Sequence, residues 1–261
     1  MKGVRPIGLL LAACLLLAAC SGNQTPEPTG AAEPVKTVAR PTEPSGPPET
    51  TEATQPVPTL HSGLREDGSF DEGTLFLGDS LTYSLVRGIL ARSGRLGDAW
   101  YAGFCGAKIE AFTDGTVLNG PSDRFYYSRE FEDLTLPEAV EHLGGDATAI
   151  YYMFGTNFTQ DATQDDYIEV LDTILRACPN ATVYLQTVPH STYIPWDVIN
   201  ERIRGAYDHY QQLGEPRVLL LDATDYIGEN LCGDGVHLTD VGSERWYQAI
   251  CRFAAENEIG E

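Results

Sequence analysis

Between about residues 70 and 256, apolar positions come in two alternating forms: short unbroken runs and longer amphipathic stretches. The short runs at 74–77, 99–102, 147–154, 182–187 and 217–221 are rich in β-branched or aromatic residues. Gly, Asp, Asn or Pro bound them, which predicts strands. Helices are predicted over 81–92, 136–143, 165–177, 196–213 and 240–256. Within 196–213, Val198, Ile199, Ile203 and Tyr207 return at helical spacing, so that face is expected to be buried. Strand–helix alternation repeated about five times predicts an α/β fold, with a parallel five-stranded sheet covered on both faces. In open sheets of this kind the site lies beyond the carboxyl ends of the strands, so catalytic residues should follow strands.

The stretch 112–137 is long for a connection and carries Phe125, Tyr126, Tyr127 and Phe131. It is expected either to shape the rim of the site or to pack onto the body. The loop 190–196, which holds Tyr193 and Trp196, follows a strand end and should overhang the site.

The first sixty residues have a different pattern. Lys2 and Arg5 precede an apolar run from Ile7 to Ala19, too short for a permanent membrane span and typical of a secretory signal. It ends in Leu17-Ala18-Ala19-Cys20, which resembles a bacterial lipobox. The resemblance implies cleavage before Cys20 and lipidation of its thiol, with enough acyl chains for lasting attachment. Leu11-Ala12-Ala13-Cys14 has the same letters but leaves too short an apolar stretch before it. Residues 21–60, rich in Pro, Thr and Glu, bury too little apolar surface to offset their chain entropy and should form a disordered stalk. The expected organisation is a signal over 1–20, a linker over 21–60 and one domain over 61–261. The expected location is the bacterial cell envelope, with the domain extracytoplasmic and anchored on the outer face of the cytoplasmic membrane.

Residues 61–261 hold 33 acidic and 13 basic side chains, and Lys108 is their one lysine. So acidic a domain is a poor partner for nucleic acid or for an anionic lipid surface. Of six cysteines, Cys105, Cys178, Cys232 and Cys251 remain once Cys14 and Cys20 are set aside; an oxidising exterior would let them pair, and spacing leaves the connectivity open. No Cys-x-x-Cys, His-Glu-x-x-His or calcium-loop pattern occurs in the sequence, so neither metal nor cofactor is expected.

Four clusters carry the candidate chemistry. Leu75-Phe76-Leu77-Gly78-Asp79-Ser80-Leu81 places a serine between a strand and a helix, where free N–H groups favour a developing anion, although Asp-Ser there is also an ordinary helix cap. Gly103-Phe104-Cys105-Gly106 offers glycines three apart, which let a main-chain N–H approach an oxyanion or simply form a turn. Gly155-Thr156-Asn157 ends a third strand, and an asparagine amide donates a hydrogen bond without carrying charge. Gly233-Asp234-Gly235-Val236-His237-Leu238-Thr239 follows the last strand. A serine hydroxyl needs a base, and the base needs a group that fixes its tautomer; Asp and His three apart on one short loop can supply both.

In this order the four clusters resemble the GDSL/SGNH hydrolase family over nearly all of residues 70–255. The resemblance implies Ser80 as nucleophile with Asp234 and His237 behind it. It implies an oxyanion hole of Ser80, Gly106 and Asn157, with Gly103 the lesser alternative to Gly106, and a three-layer α/β/α sandwich of the flavodoxin-like kind. Asp79 is assigned a structural role, orienting its loop. Two departures stand out: Phe158 occupies the place where the family often has Asp, and the chain has no Gly-x-Ser-x-Gly elbow. The expected activity is hydrolysis of carboxylic esters, foremost acetyl groups on a polysaccharide. A lysophospholipase or general carboxylesterase, a sugar O-acyltransferase and an inactive surface-binding domain are the alternatives.

Overall fold

The computed structural model describes residues 58–104, 106–109, 125–127, 135–143, 146–157, 162–229, 231 and 233–257. The expected signal, Cys20, nearly all of the linker, Cys105, Cys232 and most of 112–137 lie outside these residues.

Five parallel strands form the centre: β1 Thr74–Asp79, β2 Trp100–Phe104, β4 Ala149–Met153, β5 Thr182–Gln186 and β6 Val218–Leu221. Each lies within about two residues of the run that predicts it. A sixth strand, β3 Phe125–Tyr127, pairs antiparallel with β2 and makes the sheet order β3-β2-β1-β4-β5-β6. The five-stranded expectation therefore holds for the parallel sheet and gains one short edge strand. Three residues are too few for a period, so pattern alone has no purchase on β3.

The helices cover both faces, as a parallel sheet requires. On one face α3 Leu136–Leu143, α4 Gln164–Ala177 and α5 Trp196–Leu213 pack in sequence. On the other, α7 Asp240–Glu256 packs against α6 Thr224–Ile227 and against the helical stretch after β1. That stretch runs through α1 Ser80–Tyr83, a π-helical segment Ser84–Leu90 and α2 Ala91–Ser93. The three-layer sandwich is thus the observed architecture.

Register explains the core. Phe76, Tyr151 and Tyr184 are partners across β1, β4 and β5, so their rings share one face and stack at 5.0 and 4.5 Å. Buried Tyr hydroxyls need acceptors; those of Tyr151 and Tyr184 donate to the carbonyls of Ser62 and His61, each at 2.8 Å, pinning the chain's entry into the domain. Trp246 of α7 donates from its indole to Gln186 Oε1 at 2.8 Å.

Helix α5 corrects one expectation. Its buried face is Ile199, Asn200, Ile203, Ala206 and Tyr210, whereas Val198 is 38% exposed. Asn200 is buried because its amide makes two backbone bonds to Val188, accepting from the N–H at 2.8 Å and donating to the carbonyl at 2.9 Å. A polar residue so satisfied can stand in a core, and apolar spacing cannot register it. Helix α4 begins at a capping box in which Thr163 and Asp166 bond reciprocally, so its acidic start is a cap. No helix among the described residues is long and apolar enough to cross a membrane.

Candidate active site

The chain leaves β1 for β2 on one side and later returns to β4 on the other, so loops diverge at the carboxyl end of β1. Open α/β sheets bind ligands in such a crevice. Ser80 follows β1, Gly106 follows β2 and Asn157 follows β4. Asp234 and His237 follow β6 and α6, and the 190–196 loop follows β5. Ser80, Gly106, Asn157, Asp234 and His237 thus all lie beyond a strand's carboxyl end, while Asp79 ends β1 and Gly103 lies within β2.

Ser80, His237 and Asp234 come together. Ser80 Oγ lies 3.0 Å from His237 Nε2, and His237 Nδ1 lies 2.7 Å from Asp234 Oδ2. Asp234 Oδ1 accepts the main-chain N–H groups of Val236 at 3.0 Å and His237 at 2.9 Å. Those bonds explain the three-residue spacing: the carboxylate caps the turn with one oxygen and holds the imidazole with the other. The Val236 N–H, then the His237 ring and N–H, hold the Asp234 carboxyl down at about 2. Asp234 is therefore ionised throughout the neutral range, and its charge sits beside the His237 ring. Ser80 is buried, while His237 and Asp234 are partly open to solvent.

Asp79 is the fully buried hub of this end of the sheet. Its Oδ1 accepts the N–H of Leu81 at 3.0 Å, and its Oδ2 accepts the N–H of Thr156 at 3.0 Å and the Thr156 hydroxyl at 2.6 Å. One carboxylate thus ties the turn that carries Ser80 to the turn that carries Asn157. Burial pushes the Asp79 carboxyl up, against the opposing pull of Thr156 and Leu81. The orienting role expected of Asp79 matches this geometry. Thr156, its partner, has no signal in the sequence.

Asn157 donates from Nδ2 to the carbonyl of Ala107 at 3.0 Å, which joins the β4 loop to the β2 loop. An amide nitrogen carries two hydrogens, and the second has no acceptor among the described residues. Gly106 has φ +80, a left-handed conformation that suits glycine, and its N–H has no acceptor among the described residues. Gly103 sits inside β2, where an added Cβ would come within 3.0 Å of the Tyr83 backbone; it serves close packing of β2 on α1.

The 190–196 loop is tied to the Asp234 loop. Ser191 Oγ donates to the carbonyl of Gly235 at 2.8 Å, and the Thr192 N–H donates to the same oxygen at 3.1 Å. Gly235, at φ +70, has no room for a Cβ, which would meet Thr192 Oγ1 at 2.0 Å. Ser191 is a second positioning residue that sequence reading missed, since nothing in His-Ser-Thr-Tyr marks one serine for such a bond. Cys178 and Cys251 are free thiols. No cluster of three or more His, Cys, Asp or Glu able to hold a metal occurs among the described residues.

No family model matches this chain, and no curated protein matches it. Solved structures do. The chain is similar to a carbohydrate esterase family 3 structure from Talaromyces cellulolyticus, at 17% identity and a TM-score of 0.49, over 70% of this chain and 96% of that one. It is similar to a GDSL-like lipase from Bacteroides thetaiotaomicron at 15% identity and a TM-score of 0.47, over 70% and 88%. It is likewise similar to a lipase/acylhydrolase from Enterococcus faecalis at 20% identity and a TM-score of 0.45, over 70% and 96%.

Proposed function

We propose that this protein is a serine ester hydrolase of the GDSL/SGNH kind, lipid-anchored outside the cytoplasmic membrane, that removes short acyl groups, foremost acetyl, from carbohydrate. The observation that carries the reading is the relay itself: Ser80 Oγ to His237 Nε2 at 3.0 Å and His237 Nδ1 to Asp234 at 2.7 Å. His237 Nε2 takes the hydroxyl proton as Ser80 Oγ bonds to the ester carbonyl carbon, and Asp234 stabilises the imidazolium. The carbonyl oxygen, now an anion, is received by the main-chain N–H groups of Ser80 and Gly106 and by the second hydrogen of Asn157 Nδ2. The imidazolium gives its proton to the leaving alcohol as the ester C–O bond breaks. Water then attacks the acyl-enzyme by the same route and frees the acid.

Two features favour a sugar as the alcohol: Tyr193 is 75% exposed, and Trp196, at the end of the same loop, lines one cleft with Gly233 and Gly235, which flank Asp234. The experiment is hydrolysis of p-nitrophenyl acetate, butyrate and octanoate by the full chain, followed by acetate release from acetylated polysaccharides. Turnover that falls with acyl length is the expected result. A well-folded protein inert towards every ester would overturn the reading.

Asn157→Ala removes one oxyanion donor and should lower kcat by about 10²–10³ with little change in KM. A comparable rise in KM with kcat intact would instead make Asn157 a substrate-binding group. Anchoring rests on Cys20. Cys20→Ala should move the protein from the membrane pellet to the soluble fraction, and persistence in the pellet after a salt wash would remove the anchor from the proposal.

A further inference from the structure

Beside the triad loop, and lined by neither Ser80 nor His237, is a cleft of about 520 Å³. That volume lies within the range of roughly 300–1,000 Å³ usual for small-molecule sites. Its walls are the 190–196 loop on one side and Glu229 and Leu231 on the other, with Gly233 and Gly235, which flank Asp234. We propose that this cleft is a saccharide subsite, which holds neighbouring units of a neutral glycan chain while the acylated unit is at Ser80. The proposal rests on the esterase reading above and adds to it a second point of attachment.

The lining has the chemistry of sugar recognition. Trp196 is held from one side by His190, whose ring centroid lies 4.1 Å away, and its indole N–H has no acceptor among the described residues. Tyr193 adds a second aromatic surface to the lining, and Glu229 an exposed carboxylate without a partner among the described residues. Aromatic rings take the C–H face of a pyranose, while a free donor and a free acceptor take its hydroxyls. A fatty acyl chain would bury those polar groups against methylenes, which costs free energy. An anionic glycan would meet Glu229, with Asp225 close by His190 at 3.7 Å, on a domain of 33 acidic and 13 basic side chains. A neutral chain fits best.

The cleft is also built stiffly onto the catalytic loop. Ser191 Oγ, which donates to the Gly235 carbonyl, accepts the N–H groups of Tyr193 at 3.1 Å and Ile194 at 3.2 Å. The aromatic wall and the Asp234 turn are therefore fixed to each other, and a chain held in the cleft is held in register with the triad.

The test uses the full chain carrying Ser80→Ala, so that nothing is hydrolysed, titrated calorimetrically with cello-, xylo- and chito-oligosaccharides of two to six units. Binding that tightens with chain length is expected. Adding Trp196→Ala should weaken it by about tenfold or more, the equivalent of ~1.4 kcal/mol, and Trp196→Phe should recover most of the loss. An oligogalacturonate of equal length should bind about tenfold more weakly. Binding of none of the neutral series, or equal binding by a folded Trp196→Ala chain, would overturn the subsite. Failure of the two ideas can be told apart. Ester hydrolysis by the wild type without oligosaccharide binding by the Ser80→Ala chain would remove only the subsite. Oligosaccharide binding without ester hydrolysis would sustain the subsite and remove the esterase.

Discussion

Ser80→Ala should lower kcat on p-nitrophenyl acetate by about 10⁶ and leave a small residue of catalysis from the oxyanion donors and binding. His237→Ala should cost about as much, and the double variant no more than either single one, because nucleophile and base act as one unit. Asp234→Asn should cost on the order of 10⁴, since the carboxamide no longer fixes the tautomer or stabilises the imidazolium. The pH profile gives an independent check. With Asp234 held down at about 2 by the Val236 N–H and its His237 partner, its stabilising contacts are complete above the ordinary carboxylate range. They are lost only as pH falls through the depressed value. Asp234 should therefore add no limb of its own to the kcat/KM profile between the ordinary carboxylate range and neutrality. Ser80→Ala activity within tenfold of wild type would place the nucleophile elsewhere, and a limb in that range that disappears in Asp234→Asn would mean that Asp234 titrates there.

Much of this site was open to sequence reading, because its chemistry depends on spacing. Asp234 and His237 lie three apart because one carboxylate caps a turn and grips a ring at once. Ser80 follows an unbroken apolar run, and that run is β1 with all six residues buried. Runs of this kind are also why β1, β4 and β5, buried along their whole length, lie close to their predicted positions: a strand buried on both faces has no polar alternation to confuse its bounds.

What escaped the sequence lies in contacts between segments far apart in the chain. Thr156 meets Asp79 across 77 positions, and Ser191 meets Gly235 across 44. Neither pairing has a local signature, since a threonine after a glycine and a serine in a loop are unremarkable. Asn200 escaped for the opposite reason: the binary pattern assigns an amide to the surface, and only its two bonds to Val188 admit it to the core. Val198 was assigned to the buried face because an apolar residue at the right spacing is indistinguishable from a core residue until the neighbouring helix is placed. Geometry carried by one turn could be read in advance, while geometry supported across turns could not.

The second large effect is expected from that cross-turn support. Asp79→Ala leaves the N–H groups of Leu81 and Thr156 and the Thr156 hydroxyl without their acceptor at a fully buried position. An orphaned buried polar group costs about 1–3 kcal/mol. Allowing for partial relaxation, a loss of about 3 kcal/mol is expected, or a fall in Tm on the order of 10 °C for a domain of this size. Because the same carboxylate joins the Ser80 and Asn157 turns, kcat should fall as well, at temperatures well below the new Tm. Asp79→Asn separates charge from acceptor geometry: it keeps one acceptor oxygen, turns an NH₂ towards donors and should give an intermediate Tm. Charge makes its own pH-dependent contribution. Burial pushes the Asp79 carboxyl up in the folded chain, so the fold holds that proton to higher pH than the unfolded chain does. The associated stability is full below the ordinary carboxylate range and is lost as pH rises through the folded value. Thermal unfolding followed by circular dichroism across that range should show the stability of wild type relative to Asp79→Asn declining as pH rises. A Tm for Asp79→Ala within two degrees of wild type would show that the buried clasp does not hold the two turns together.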